Sequence, residues 1–183
     1  MGRVGAERVS RTERIYLTGF MGAGKSAAGR RLAIVLGWEF IDLDERVEQA
    51  SGLPIAELFE RRGESGFRLL ERVELEATLR QDRVVVATGG GALAQPGALE
   101  SLRGRGLIVW LKLPFAELAE RVEAAGAGTR PLYKDRRRAR QLYRERLPFY
   151  RQADLVLAVD GGQTVESVVR RLAAELGVEA CAI

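Results

Sequence analysis

The sequence predicts an α/β fold in which a five-stranded parallel sheet is flanked by helices on both faces. Two observations predict it. Short runs of strand-forming residues alternate with segments whose apolar residues repeat at helical spacing. One of the runs, at 84–87, is continuously apolar, as strands are when a parallel sheet is buried on both faces. Right-handed crossovers between such strands place helices on each face of the sheet.

The composition is that of one domain with a restricted set of catalytic side chains. A chain of 183 residues, 46% of them hydrophobic, can bury one sizeable core but is too short for two ordinary domains. We predict one domain at 14–176, a flexible N-terminal tail at 1–13 and a C-terminal tail at 177–183. The absence of histidine excludes His-ligated zinc and Ser-His triads, and a single cysteine forms no disulfide framework. A proton acceptor in this chain is therefore expected to be a carboxylate.

Positive charge is spread along the chain and comes almost entirely from arginine. The net charge is +4 and the basic residues are interleaved with 25 acidic ones, so we expect neither a nucleic-acid partner nor a membrane partner. Arginine forks suit carboxylates and phosphates, which favours a small anionic ligand. No apolar run approaches the length that spans a bilayer, and residues 1–14 lack the apolar segment of a signal peptide. We expect a cytoplasmic monomer.

The first strand, at 15–17, leads into Gly19-Phe20-Met21-Gly22-Ala23-Gly24-Lys25-Ser26, and a helix at 27–36 follows. This is Gly-x-x-x-x-Gly-Lys-Ser in the strand, loop, helix order of a phosphate-binding loop. Glycines let backbone N–H groups face a polyphosphate, while Lys25 is expected to reach the β- and γ-phosphates and Ser26 to ligate Mg²⁺. The alternative is an incidental glycine-rich turn, which the flanking strand and helix disfavour.

The second strand, at 38–42, follows Gly37 as a helix cap and ends in Asp42-Leu43-Asp44. Ligands of open α/β sheets bind at this carboxyl edge. If the alternation of the strand continues, Asp42 and Asp44 lie on one side and Leu43 turns into packing. The alternative is that Asp44 only caps the next helix, at 45–50.

A helical insert, at about 47–79, interrupts the alternation of strands and helices. Ser51-Gly52-Leu53-Pro54 ends one helix, Pro54 opens another that runs to residue 61, and Gly63 begins a longer helix that runs to 79. On one face of this longer helix, Glu64, Arg68 and Glu71 stand at i, i+4 and i+7. Spacing alone favours a surface ion-pair ladder that contributes little to stability.

The remaining segments restore the alternation. The third strand, at 84–87, runs into Thr88-Gly89-Gly90-Gly91, whose position favours close approach of the backbone to a ligand. Beyond it the sequence predicts a helix at 96–103, a strand at 107–111, a helix at 114–124, a glycine- and alanine-rich hinge at 125–129, an arginine-rich helix at 135–152, a strand at 155–159, a turn at 161–162 and a helix at 164–176.

Six motifs combine in one order: the phosphate-binding loop, Phe40-Ile41-Asp42-Leu43-Asp44, Gly63-Glu64-Ser65-Gly66-Phe67-Arg68-Leu69-Leu70-Glu71, Gly89-Gly90-Gly91, Arg130-Pro131-Leu132 and Arg146-Leu147-Pro148-Phe149-Tyr150. Over about residues 14–176 they resemble the shikimate kinases, which have a P-loop NTPase fold. The resemblance implies transfer of the γ-phosphoryl group of ATP to the 3-hydroxyl of shikimate, with Mg²⁺, in the route to chorismate and aromatic amino acids. It also implies a substrate-binding helical insert and a mobile lid.

The resemblance further implies roles for individual residues. The expected nucleotide contacts are Gly22, Ala23, Gly24, Lys25, Ser26, Ala27, Arg121, Arg130 and Gln163. The expected substrate contacts are Asp44, Arg68, Glu71, Gly89, Gly90, Gly91 and Arg146, with Arg68 and Arg146 on the carboxylate and Glu71 orienting them. Ser26 and Asp42 would hold Mg²⁺, Asp42 through water. The expected catalytic residues are Lys25, Asp44, which would take up the hydroxyl proton, and Arg130, which would close over the phosphates.

Two other functions stay open at this point. Another small-molecule P-loop kinase, acting on gluconate or a nucleoside, would share the loop, although it would not be expected to combine Gly-x-x-x-Phe-Arg with three glycines. A nucleotide-sensing, RNA-binding regulator would have no need of paired carboxylates and arginines facing one cleft, and its RNA affinity would fall steeply with salt.

Overall fold

Five parallel strands form one sheet in the order β2-β3-β1-β4-β5. The computed structural model describes residues 13–126, 132–133 and 135–178. The strands are β1 (Arg14–Thr18), β2 (Glu39–Asp42), β3 (Val84–Ala87), β4 (Leu107–Lys112) and β5 (Leu155–Ala158). Every pairing is parallel, and β1 lies between β3 and β4 with Leu17 opposite both Ala87 and Val109. The predicted five-stranded parallel sheet is therefore confirmed.

The described residues contain seven α-helices. They are α1 (Lys25–Leu36), α2 (Leu43–Ser51), α3 (Ile55–Ala77), α4 (Ala98–Leu102), α5 (Phe115–Ala124), α6 (Arg136–Tyr150) and α7 (Val165–Glu175). The two helices predicted at 54–61 and 63–79 form one element, α3, which is kinked at Gly63 because that residue is non-helical, with φ 67° and ψ −177°. None of the described helices is both long and apolar enough to cross a membrane.

The core lies in two layers, one on each face of the sheet. Alternate residues of β1 point to opposite layers, so Ile15 and Leu17 pack with α1 and α7 while Tyr16 packs on the other face with Leu75 and Leu102. All four residues of β3 are buried, as its continuous apolar run predicts. A third, small cluster of Val47, Leu58 and Phe67 holds the helical insert together.

The strand order places the functional segments at one edge. The order of the strands reverses direction at β1. Open α/β sheets bind ligands in the crevice at such a switch point, outside the carboxyl ends of the strands. The phosphate-binding loop follows β1, Asp42 ends β2 and the three glycines follow β3. Arg130 and both predicted terminal tails, apart from residues 13, 177 and 178, lie outside the described residues.

Candidate active site

The phosphate-binding loop has a backbone that only glycine fits at two points. Gly19 has φ 140°, and a Cβ there would lie 2.7 Å from the carbonyl oxygen of Leu111. Gly22 has φ 82°, and a Cβ there would lie 2.9 Å from the carbonyl oxygen of Leu118. A side chain at either position would strain the backbone and collide with another main chain. The loop thus packs closely against β4 and α5.

Lys25 and Ser26 begin α1 directly after this loop. The half-buried Lys25 ammonium donates hydrogen bonds to the carbonyl oxygens of Gly19 at 3.0 Å and Phe20 at 3.1 Å. Ser26 and Ala27 are exposed, and the first turn of α1 carries no acidic residue. The positive end of the helix dipole therefore has no carboxylate of its own helix to offset it, which favours an anion at this point.

Asp42 and Asp44 lie at the junction of β2 and α2. The Asp42 side chain accepts a hydrogen bond from the backbone N–H of Asp44 at 3.0 Å and is the N-cap of α2. The cap is thus Asp42, and the suggestion that Asp44 caps the helix was wrong because α2 begins at Leu43, earlier than expected. Leu43 is fully buried, as predicted, although it turns inward as the first residue of a helix and not through strand alternation. Asp44 lies in the first turn of α2, free of the capping role.

A cavity of about 520 Å³ opens at this edge of the sheet. It brings together all of the predicted metal and substrate residues: Ser26, Asp42, Asp44, Arg68, Glu71, Gly89, Gly90, Gly91 and Arg146. Its apolar wall comes from Met21, Pro54, Ile55, Ala56, Phe59, Phe67 and Leu132. The cavity therefore combines carboxylates, two arginines and an apolar wall that comes mostly from the insert.

Two arginines converge on the third glycine. A Cβ on Gly91 would lie 2.7 Å from Nη2 of Arg68 and 2.8 Å from Nη2 of Arg146. Burial lowers the pKa of the Arg146 guanidinium, and the neighbouring Arg68 charge lowers it further, while Tyr150 opposes the shift. Both groups stay charged at neutral pH because a guanidinium loses its proton only far above that range. Two cations held side by side in a cavity wall form a site for an anion.

Arg68 is clamped between two carboxylates of its own helix. Its Nη1 donates to Oε2 of Glu71 at 2.6 Å, and its Nη2 donates to Oε1 of Glu64 at 3.1 Å. Burial acts to lower the pKa of Arg68, but the two glutamates outweigh it and raise the pKa above its usual value. Burial raises the pKa of Glu71, and Arg68 opposes that shift.

The predicted ion-pair ladder therefore exists, but it is not a surface feature. The Glu64 side chain is 54% exposed, whereas that of Glu71 is 1% exposed. Spacing defines which residues share a helix face and does not say what that face packs against. Between Glu64 and Glu71, this face of α3 passes from solvent into the cavity.

The glycine loop, residues 89–91, is held in place by a residue of α6. Tyr150 is 1% exposed and its hydroxyl donates a hydrogen bond to the carbonyl oxygen of Gly90. Burial raises the pKa of Tyr150 to about 12, so the hydroxyl keeps the proton that it donates. A Cβ on Gly89 would lie 2.2 Å from Oε1 of Glu71 and 3.1 Å from Oδ1 of Asp44. The absence of side chains at these glycines thus lets the carboxylates and the loop backbone share one small space.

Among the described residues, Ser26 is the one expected nucleotide contact that lines the cavity, while Gly22, Ala23, Gly24, Lys25, Ala27, Arg121 and Gln163 lie outside its lining. Arg121 donates to the carbonyl oxygens of Gly22 at 3.4 Å and Gly161 at 3.3 Å, so it bridges the phosphate-binding loop and the turn before α7. Gln163 accepts a hydrogen bond from Arg171 at 3.0 Å. The structure therefore places Arg121 against the loop and leaves Gln163 engaged with α7.

Comparison with known proteins identifies the family of the chain. Residues 21–177 match the family model described as shikimate kinase. The chain belongs to the shikimate kinase family. A curated shikimate kinase from Halorhodospira halophila is 42% identical over 163 residues, which cover 87% of this chain and 90% of that protein. It follows that the chain is an ATP-dependent P-loop kinase.

Solved structures agree with this family. A shikimate kinase from Acinetobacter baumannii in complex with shikimate superposes with a TM-score of 0.84 at 35% identity, covering 94% of this chain and 97% of that one. A gluconokinase from Sinorhizobium meliloti shares the fold alone, with a TM-score of 0.62 at 23% identity. The fold is thus common to kinases of different acceptors, while the closer sequence relationship is to shikimate kinases.

Sequence reasoning missed part of this shikimate kinase site. It did not identify Gln95, whose amide donates to Glu71 at 2.7 Å, or the Tyr150 hydroxyl as the anchor of Gly90. Nor did it identify the apolar wall, although Phe59 and Phe67 flank the kink at Gly63 and their rings lie 4.9 Å apart. The signal for that wall in the sequence was one aromatic residue on each side of a helix-breaking glycine.

Proposed function

We propose that the protein transfers the γ-phosphoryl group of ATP to the 3-hydroxyl of shikimate, giving shikimate 3-phosphate and ADP on the route to chorismate. One observation carries the proposal: Arg68 and Arg146 converge on Gly91 in the same cavity that Asp44 and Ser26 line. Shikimate is a small carboxylated triol. Its carboxylate suits two guanidinium forks, and its hydroxyls suit a carboxylate acceptor.

The residues of the chain supply positioning and electrostatics, which is most of what phosphoryl transfer requires. The loop N–H groups and the N-terminus of α1 bind the phosphates of ATP, and Lys25 exchanges its two carbonyl acceptors for phosphate oxygens. Arg68 and Arg146 hold the shikimate carboxylate. Asp44 accepts a hydrogen bond from the reacting hydroxyl and takes up its proton as the phosphoryl group arrives.

The chain also offers a place for Mg²⁺. Ser26 and Asp42 line the same cavity and supply one hydroxyl and one carboxylate, the hard oxygen donors that Mg²⁺ prefers. Among the described residues no group of three or more acidic, histidine or cysteine side chains could enclose a metal ion. Two protein donors fit an ion that keeps several waters, as Mg²⁺ does. When bound, Mg²⁺ would neutralise charge on the phosphate oxygens.

Three further parts of the proposal concern the whole protein. Arg130 is proposed to lie on the lid and to close over the phosphates, as the resemblance implies. The protein is proposed to act as a monomer, since residues of a single chain supply both the carboxylates and the arginines that line the described cavity. It is proposed to work in the cytoplasm, where ATP is supplied.

Product analysis tests the reaction itself. The purified protein, incubated with ATP, Mg²⁺ and shikimate, should form one new phosphate monoester, and phosphorus–proton correlation in the NMR spectrum should place it on the carbon that bears the 3-hydroxyl. Phosphorylation of another hydroxyl would contradict the proposed orientation of the substrate. Release of inorganic phosphate without an ester would contradict the proposed transfer.

Replacing Arg68 with lysine should raise the shikimate KM by roughly tenfold or more, because the charge remains while the planar fork is lost. The ATP KM should change little, since the described partners of Arg68 are Glu64 and Glu71, outside the phosphate-binding loop. Arg72→Lys is the matched control: Arg72 lies one turn further along α3, is 48% exposed and pairs with Glu76 at 3.0 Å. An unchanged shikimate KM in Arg68→Lys would mean that Arg68 does not bind the substrate carboxylate and has a purely structural role.

Replacing Gly91 with alanine should raise the shikimate KM by about tenfold or more, because the new methyl group would displace one guanidinium and cost at least one charge-assisted hydrogen bond. Gly91 has φ −115°, so alanine causes no backbone strain there and the effect is steric. Gly162→Ala is the control, since its nearest neighbouring atom would be 3.7 Å away. Steady-state kinetics with each substrate varied in turn measure both; equal shikimate KM values would contradict the convergence of the two arginines on the substrate.

A further inference from the structure

The buried carboxylate of Glu71 is held by two donors on one of its oxygens. Oε2 accepts from Nη1 of Arg68 at 2.6 Å and from Nε2 of Gln95 at 2.7 Å. Oε1 is buried and accepts no hydrogen bond within the described residues. The orientation of the Glu71 carboxylate therefore depends on the hydrogen bond from Gln95 as well as on the one from Arg68.

Gln95 connects two parts of the substrate site that belong to different elements. It ends the short 3-10 turn Ala92–Ala94, four residues after Gly91, and it is half-buried. Its side chain crosses to α3, where Glu71 and Arg68 lie. The hydrogen bond thus ties the segment that follows the glycine loop to the helix that carries one of the two converging arginines.

The chemistry of the donor suits this position. Among the described residues that line the cavity, the cationic ones are Arg68 and Arg146. A lysine or arginine in place of Gln95 would add a third cation beside Glu71 and compete with Arg68 for its carboxylate. A neutral amide fixes the carboxylate through one short hydrogen bond and adds no charge beside the two arginines.

We propose that Gln95 is a positioning residue for recognition of the carboxylate of the acceptor substrate, acting through Glu71 on the orientation of Arg68. The inference rests on the proposed function, because it assigns Arg68 to the substrate carboxylate. Gln95 touches neither the phosphates nor the reacting hydroxyl in this scheme. Its loss should therefore weaken binding of the acceptor and leave the chemical step intact.

Replacing Gln95 with methionine keeps the length of the side chain and removes its donor. The shikimate KM should rise by about fivefold, less than the full effect of one hydrogen bond to a charged group, because Gln95 acts on the substrate only through Glu71 and Arg68. The kcat and the ATP KM should stay within about twofold. The control is Gln141→Met, because Gln141 also donates to a glutamate, Glu145 at 3.0 Å, but on the exposed face of α6. That variant should match the unmodified protein. Gln95→Leu is the second variant, to be used if Gln95→Met does not fold.

A substrate without the carboxylate charge separates positioning from general loosening of the site. The unmodified protein should prefer shikimate to its methyl ester, since the ester offers no anion to the arginines. In Gln95→Met the ratio of the two kcat/KM values should shrink by about the same fivefold factor, because only recognition of the carboxylate is impaired. Equal losses for both compounds, or an unchanged shikimate KM, would overturn the role of Gln95. Failure of the unmodified protein to phosphorylate shikimate would instead overturn the proposed function.

Discussion

Replacing Lys25 with methionine should lower kcat by about a hundredfold or more, because negative charge on the transferring phosphoryl oxygens is then met by one cation fewer in the transition state. Methionine has a similar length and keeps the apolar stem. The fold should survive, because the hydrogen bonds that Lys25 donates to the Gly19 and Phe20 carbonyls are made within its own loop. Steady-state kinetics with saturating shikimate measure the effect.

Lys112 provides the matched control for this substitution. It ends β4, is exposed and lies 5.6 Å from the ring of Trp110, away from the cavity lining. Lys112→Met should keep the kcat of the unmodified protein. Near-normal turnover in a folded Lys25→Met variant would mean that the loop does not act on the phosphates as proposed.

Replacing Asp44 with asparagine should lower kcat by about a hundredfold or more, because an amide accepts a hydrogen bond from the reacting hydroxyl but cannot take up its proton. The shikimate KM should change far less than kcat. The cap of α2 should stay intact, since Asp42 accepts the hydrogen bond that begins this helix and its donor is the backbone N–H of Asp44, which the substitution keeps. Loss of activity without loss of stability is thus expected.

The control for Asp44→Asn is Asp82→Asn. Asp82 is exposed and pairs with Arg14 at the opposite end of the strands, outside the cavity lining. Its substitution should leave both kcat and the shikimate KM unchanged. An Asp44→Asn variant that raises the shikimate KM and keeps its kcat would show that Asp44 binds the hydroxyls and that the proton goes elsewhere.

Local sequence was sufficient for the parts of the fold and site that depend on few neighbours. The phosphate-binding loop could be predicted because its glycines, Lys25 and Ser26 are contiguous and their flanking strand and helix are short-range features. The sheet followed from the alternation of strands and helices, with β3 recognised by its apolar run. Placing Asp42 near the glycines needed one more step, namely that parallel strands present their carboxyl ends at the same edge.

What the sequence could not predict depends on contacts between distant elements. Glu71 was predicted on spacing alone to be a surface residue, because nothing in α3 shows that its last turns pack beneath the glycine loop. Gln95 and Glu71 are 24 residues apart, and Tyr150 and Gly90 are 60 apart. Side chains brought together over such separations leave no periodic pattern. The resemblance implied that Glu71 orients the two arginines, whereas no motif included Gln95.

The most direct test of the account is the choice of acceptor by the unmodified protein. ADP formation would be measured with ATP and Mg²⁺ in the presence of shikimate, gluconate, a set of nucleosides, or no acceptor. The cavity, which two arginines and Asp44 line, predicts rapid turnover with shikimate and near-background rates with the rest. Faster turnover with gluconate or a nucleoside, or equal ADP formation without any acceptor, would contradict it.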